Sequence, residues 1–168
     1  MQRIRGGLGA GQISNGPWRT AKTFGTADAS ALVRAQVALG GLLALPAKEA
    51  MYFTAKTDSE GRPLDGRCAY LVRGGELPAR WWSITLYQGE GWLVKNGGNR
   101  WSVGSSAFSG QEAKDWRFSV APDAGRGVGI MTGSVPAFDL TLRTYHPSPQ
   151  LLANPQSIKL PAIERLGC

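Results

Sequence analysis

The side chains able to do chemistry are few, and their spacing limits what they could do. His146 is the only histidine, so any Ser-His-Asp or Cys-His pair would have to use it. It precedes Pro147 at the end of a predicted strand. A surface histidine at a strand-to-tail corner is expected there, rather than a general base or metal ligand. One histidine and two cysteines cannot build a zinc site of four cysteines, or of paired cysteines and histidines, within the chain, so no such metal site is expected. Gly104-Ser105-Ser106-Ala107-Phe108 lacks the last glycine of a nucleophile elbow. Gly125-Arg126-Gly127-Val128-Gly129 lacks the third glycine of a dinucleotide fingerprint and follows no βα unit, so it reads as a hairpin loop.

What remains is a set of polar and aromatic residues on predicted strands. Asp139, Thr141 and Arg143 alternate with Phe138, Leu140 and Leu142 and so share the polar side of one strand. Glu49 and Tyr52 sit at a helix-to-strand junction, and Arg80 precedes Trp81-Trp82. Converging on one sheet face, these would make a carboxylate–guanidinium pocket with Trp81 and Tyr87 as its floor. The competing expectation is a solvated sheet face with an ordinary ion pair. Glycosidase-type chemistry would need Asp139 and Glu49 within about 10 Å of each other. Trp81 and Trp82 are adjacent on a strand, so one is core and the other points outward. An outward tryptophan on a sheet is a platform for sugars and other flat ligands. The candidate binding residues are therefore Trp81, Tyr87, Arg80 and Tyr52, and the weaker catalytic candidates are Asp139, Glu49 and Arg143.

The two cysteines are Cys68, early in a predicted strand, and Cys168, the last residue. A cysteine at the end of an extended tail has little packing use. A Cys68–Cys168 bond would fasten that tail and close a loop of roughly a hundred residues, worth up to about 4.7 kcal/mol in the chain-entropy model. The other reading is two free thiols. A disulfide implies an oxidising compartment such as the periplasm, although the first residues carry no export signal.

The elements that must position these groups are mostly short strands. Asp28 is a good N-cap, and residues 29–45 place Leu32, Ala35, Leu39 and Leu42 at helical spacing, which predicts one N-terminal helix over about 28–45. From Met51 the period becomes two. Strands are expected at 51–57, 68–73, 80–87, 92–94, 101–103, 116–121, 128–131 and 137–145, separated by Gly, Asp and Pro turns. This pattern predicts a mainly β fold, an antiparallel jelly-roll-like sandwich with the helix packed on it. Residues 1–16 read as a flexible lead-in and 17–168 as a single domain. The stretch 146–168 holds four prolines and is expected to wrap the sandwich as an extended tail.

Composition narrows the partners. The chain has 168 residues, 42% of them hydrophobic, with six tryptophans, which fits one packed domain. The net charge is +7, but the basic residues are scattered singly, so a soluble basic surface is expected and nucleic-acid binding is not. The longest apolar stretch, residues 35–45, is too short to span a membrane.

The order of residues also resembles the DUF1214 family. The resemblance covers about residues 14–168. Its opening is Gly16-Pro17-Trp18-Arg19-Thr20, Arg34-Ala35 and Leu42-Leu43-Ala44-Leu45-Pro46-Ala47-Lys48-Glu49-Ala50-Met51-Tyr52. Its most specific parts are Pro78-Ala79-Arg80-Trp81-Trp82-Ser83 and Phe138-Asp139-Leu140-Thr141-Leu142-Arg143-Thr144-Tyr145. Similar standalone bacterial chains end in Glu-Arg-x-Gly-Cys, as residues 164–168 do. The resemblance implies a mostly β, jelly-roll-like sandwich and no activity or cofactor. One segment departs from it: Val128-Gly129-Ile130-Met131 stands where similar chains carry an Asn-Trp-Leu-Pro-type sequence. Standalone relatives often begin with an anchor or signal, so a truncated start is expected here. The function expected is a non-catalytic cell-envelope domain binding a partner protein or glycan. The alternative is a hydrolase using the carboxylate–arginine pocket.

Overall fold

A computed structural model describes residues 12–21, 31, 45–123 and 127–168. The expected N-terminal helix lies outside these residues, apart from Ala31 and Leu45. Among the described residues the chain forms ten strands. They are β1 (Gln12–Asn15), β2 (Trp18–Ala21), β3 (Ala50–Ala55), β4 (Ala69–Gly74), β5 (Ala79–Gln88), β6 (Ser102–Gly104), β7 (Trp116–Ala121), β8 (Gly129–Met131), β9 (Phe138–Pro147) and β10 (Ala162–Gly167). Six make an antiparallel sheet in the order β1-β2-β3-β9-β5-β6, and four make a second sheet in the order β10-β4-β7-β8. The expected antiparallel pattern holds except between β7 and β8, which run parallel. β8 is only three residues long, so the parallel ladder is short.

Period-two patterning explains the long strands. On β5, Trp82, Ile84 and Leu86 are buried on the inner face; on β9, Phe138, Leu140 and Leu142 are. β9 lies between β3 and β5, with Phe53 opposite Leu142 and Ile84 opposite Leu142 on its other side. The second sheet supplies Tyr70, Val72, Phe118, Val120, Ile130 and Ile163 to the same core. Trp82 and Trp116 join the two layers, with ring centroids 4.3 Å apart, and Phe108 and Phe118 extend the stack from Trp116.

The C-terminal stretch is more structured than its prolines predicted. Ser148 caps a short helix, α1 (Pro149–Ala153), by accepting a hydrogen bond from the Leu151 N–H at 3.3 Å. Pro149 takes the first helical turn, where its missing N–H costs nothing. The chain then runs to β10, which pairs with β4 and completes the second sheet. On the way, the Trp18 indole donates to the Pro161 carbonyl at 2.7 Å, and Asn15 Nδ2 donates to Pro155 and Ile158. Asn15 belongs to β1, which lies inside the expected lead-in and forms a hairpin with β2 across Gly16-Pro17. Gly16 has φ +57°, a left-handed value that favours glycine.

The loop after β3 holds a buried charge. Asp58 is 1% exposed and meets Arg62 Nε at 2.8 Å and Arg165 Nε of β10 at 3.4 Å. It also accepts the backbone N–H groups of Glu60 and Arg62. Burial acts to raise its pKa, but the Arg62 side-chain bond and these backbone bonds more than offset that and hold it below the ordinary carboxylate value.

Candidate functional site

The outer face of the six-stranded sheet gathers most of the candidate residues. Three adjacent strands set the register: Tyr52 of β3 lies opposite Arg143 of β9, and Arg143 lies opposite Ser83 of β5. Two residues along β9 in one direction, Tyr145 lies opposite Trp81; four residues in the other, Asp139 lies opposite Tyr87. Alternation then places Arg143, Asp139, Tyr52, Tyr87 and Trp81 on one side of the sheet.

Arg143 is half-buried and held in a fixed orientation. Its guanidinium carbon lies 5.8 Å from the Tyr52 ring centre and 5.4 Å from that of Tyr87. Nη1 donates to Thr85 Oγ1 at 3.1 Å and Nη2 to the Tyr87 hydroxyl at 2.7 Å. Both partners are neutral. Among the described residues Arg143 forms no ion pair, whereas Arg62, Arg67, Arg73 and Arg165 each meet a carboxylate.

Asp139 is the second unusual charge on this face. Burial pushes its carboxyl up to about 6, against smaller lowering influences from Lys56, a Thr141 hydrogen bond and Arg143. Burial also raises the Tyr52 phenol, although the Leu45 backbone bonds to it.

The tryptophan pair divides as the alternation requires. Trp82 is 5% exposed in the core, and Trp81 is 39% exposed on the outer face. The Trp81 ring lies over Gly104 of the neighbouring β6, where an added Cβ would come within 2.8 Å of it. Its other neighbour is Tyr145, with ring centroids 5.3 Å apart. Arg80 is exposed and alternates to the other side of β5, so it does not join this group.

Glu49 is placed elsewhere. It precedes Ala50, which lies opposite Tyr145, and its carbonyl accepts the His146 N–H at 2.8 Å. Seven positions of β9 therefore separate its level from that of Asp139, about 24 Å of strand. Side chains cannot close that gap to the spacing of a glycosidase pair. Glu49 instead faces His146 Nδ1 at 3.7 Å, with both side chains well exposed. His146 has φ +46°, an uncommon value outside glycine. Among the described residues no three His, Cys, Asp or Glu side chains cluster as a metal site would require.

Cys68 and Cys168 form a disulfide, with S–S 2.02 Å. The bond fastens the end of β10 beside the start of β4.

Two contributors to the face were not singled out as site candidates in the sequence: Thr85 and Tyr145. Each stands two residues from a residue that was, so the same alternation carried the signal.

A family model for a protein of unknown function, DUF1214, matches residues 49–149. The chain belongs to the DUF1214 family. The matched span of this DUF1214 chain includes β3, β5 and β9 and so all five outer-face residues. Among solved structures, the VPA0106 protein from Vibrio parahaemolyticus is similar at 22% identity, with a TM-score of 0.64, over 83% of this chain and 36% of that one. A putative uncharacterized protein from Burkholderia cenocepacia matches at 16% identity and a TM-score of 0.48, over 70% of this chain and 29% of its own. The DUF1214 chain thus spans about a third of the length of these proteins. No curated protein matches it.

Proposed function

We propose that this DUF1214 chain is a non-catalytic recognition domain of the cell envelope, and that it binds a glycan on the outer face of its six-stranded sheet. The observation that carries the reading is Trp81. Alternation turns it, like Tyr87, away from the core, and it stays 39% exposed beside Tyr145. A flat ring fixed on a sheet can stack against a sugar face with little loss of side-chain freedom. The disulfide supports an oxidising compartment, and so an envelope location. The hydrolase alternative loses its second carboxylate, because Glu49 and Asp139 stand at opposite ends of β9.

A second reading, a partner protein or domain docked on this face, is favoured by one observation: the similar Vibrio protein is much longer than the matched region. Calorimetric titration of the oxidised protein with a panel of oligosaccharides separates the two. Glycan binding that falls at least tenfold in Trp81→Ala supports the first. No glycan binding, or binding untouched by that substitution, refutes it.

A further inference from the structure

Among the described residues Arg143 forms no ion pair, although the Asp139 carboxyl on the same face of β9 interacts with it electrostatically. A guanidinium has five N–H donors in a rigid fork, and Arg143 gives one to Thr85 and one to Tyr87. Neither acceptor carries charge, and no described carboxylate pairs with the group. Half-buried charges are ordinarily paired, because withdrawing them from water costs free energy that only an opposite charge and good hydrogen bonds return. The two tyrosine rings and two hydroxyls meanwhile remove much of the side chain's freedom before any ligand arrives. A fixed guanidinium with three further N–H donors suits a carboxylate, the anion whose geometry its fork matches.

Its position relative to Trp81 sets the geometry. Trp81 lies opposite Tyr145, and Arg143 is two residues from Tyr145 on the same face. That makes Trp81 and Arg143 diagonal neighbours, about 7–8 Å apart along the sheet. One sugar ring stacked on the indole could present an exocyclic group to the guanidinium. We propose that Arg143 anchors a carboxylate subsite, so that the ligand of this face is an acidic glycan containing a uronic acid. The proposal rests on the glycan reading of the face and deepens it.

The test is calorimetric titration, in buffer of physiological salt, with two oligosaccharides of the same linkage and length, one of glucose and one of glucuronate. The wild-type protein binds the glucuronate oligomer at least tenfold more tightly. Arg143→Gln removes that preference, and Arg143→Lys restores only part of it, because an ammonium lacks the fork. Tyr87→Phe keeps the charge but frees one arm of the guanidinium, and lowers the preference by a smaller factor. It serves if Arg143→Gln does not fold. Arg117→Gln, which removes an exposed charge from β7 of the other sheet, leaves the preference intact. Equal binding of the two oligomers, or equal losses in the Arg143 and Arg117 variants, overturns the carboxylate subsite while the glycan reading stands. Binding of neither oligomer overturns both.

Discussion

Replacing Asp139 by asparagine should make the protein more stable, and only above acid pH. The carboxyl of Asp139 is pushed from 3.8 to about 6 by burial on the sheet face. Its folded-state pKa is therefore above its unfolded value, so the folded protein holds the proton more tightly. Between pH 4 and 6 the unfolded chain ionises this group first, and stability falls as pH rises. Above pH 6 the loss is complete and constant. The carboxyl thus rises from 3.8 to about 6 on folding. At 1.36 kcal/mol per unit, that is a ceiling of about 3 kcal/mol. An asparagine has no charge to bury, so Asp139→Asn should gain up to about 3 kcal/mol at pH 8 and close to nothing from this source at pH 3.5. In a chain of this size the gain corresponds to roughly 6–12 °C in Tm. Urea unfolding of the oxidised wild type and variant across pH 3.5–8 reads the difference directly. Taking the difference across pH cancels whatever the amide gains or loses in its bond to Thr141. A gap that does not change with pH would refute the reasoning, as would one that shrinks toward pH 8. Lys56→Gln removes one of the influences that lower this pKa, and should widen the gap further.

Other outcomes follow from the fold. Cys168→Ser, or reduction, should cost up to about 4.7 kcal/mol in urea unfolding, since the bond closes a loop with a sequence separation of 100; an unchanged midpoint counts against the bond. Asp58→Ala should cost about 3 kcal/mol, because it strands the charge of Arg165 and leaves the Glu60 and Arg62 N–H groups without their acceptor. The Asp58 pKa is lowered on folding, so this stability is present above pH 3.8 and lost as pH falls through the folded value; wild type and variant should converge in acid. Gly74→Ala should cost about 1–3 kcal/mol by thermal unfolding, since its Cβ would stand 2.6 Å from the Trp116 ring.

The long strands were legible because apolar and polar residues alternate along them, even though much of the polar side, with Tyr52, Ser83, Thr85 and Thr141, is itself buried. Trp82, Ile84 and Leu86 on β5 and Phe138, Leu140 and Leu142 on β9 announce their faces by spacing alone, and the same spacing brings Asp139 and Arg143 together. Residues 92–94 were expected as a strand and supply only a single bridge, between Trp92 and Gln88. Three apolar residues do not carry enough pattern to choose a partner. β10 was hidden by the prolines around it, although Ser148-Pro149 is a helix start and Ile163 is a core residue. Glu49 looked adjacent to the site because it lies near Tyr52 in sequence. The antiparallel register of β3 on β9 sends it to the far end, and register is a tertiary property that spacing within one strand does not encode.

The insertion of β9 between β3 and β5 has a kinetic and a thermodynamic consequence. Tyr52 and Tyr87 arrive on strands that cannot pair with each other, and both wait for a partner synthesised some fifty residues or more after them. Such non-local closure makes for slow folding. The strand that joins them carries Arg143 on one side and Leu140 and Leu142 on the other, so the same strand serves the outer face and the core. A ligand that grips Arg143 between Tyr52 and Tyr87 needs all three strands in register, so it should raise the free energy of unfolding by its mass-action amount. For this sheet, occupancy and folding are two readings of one equilibrium.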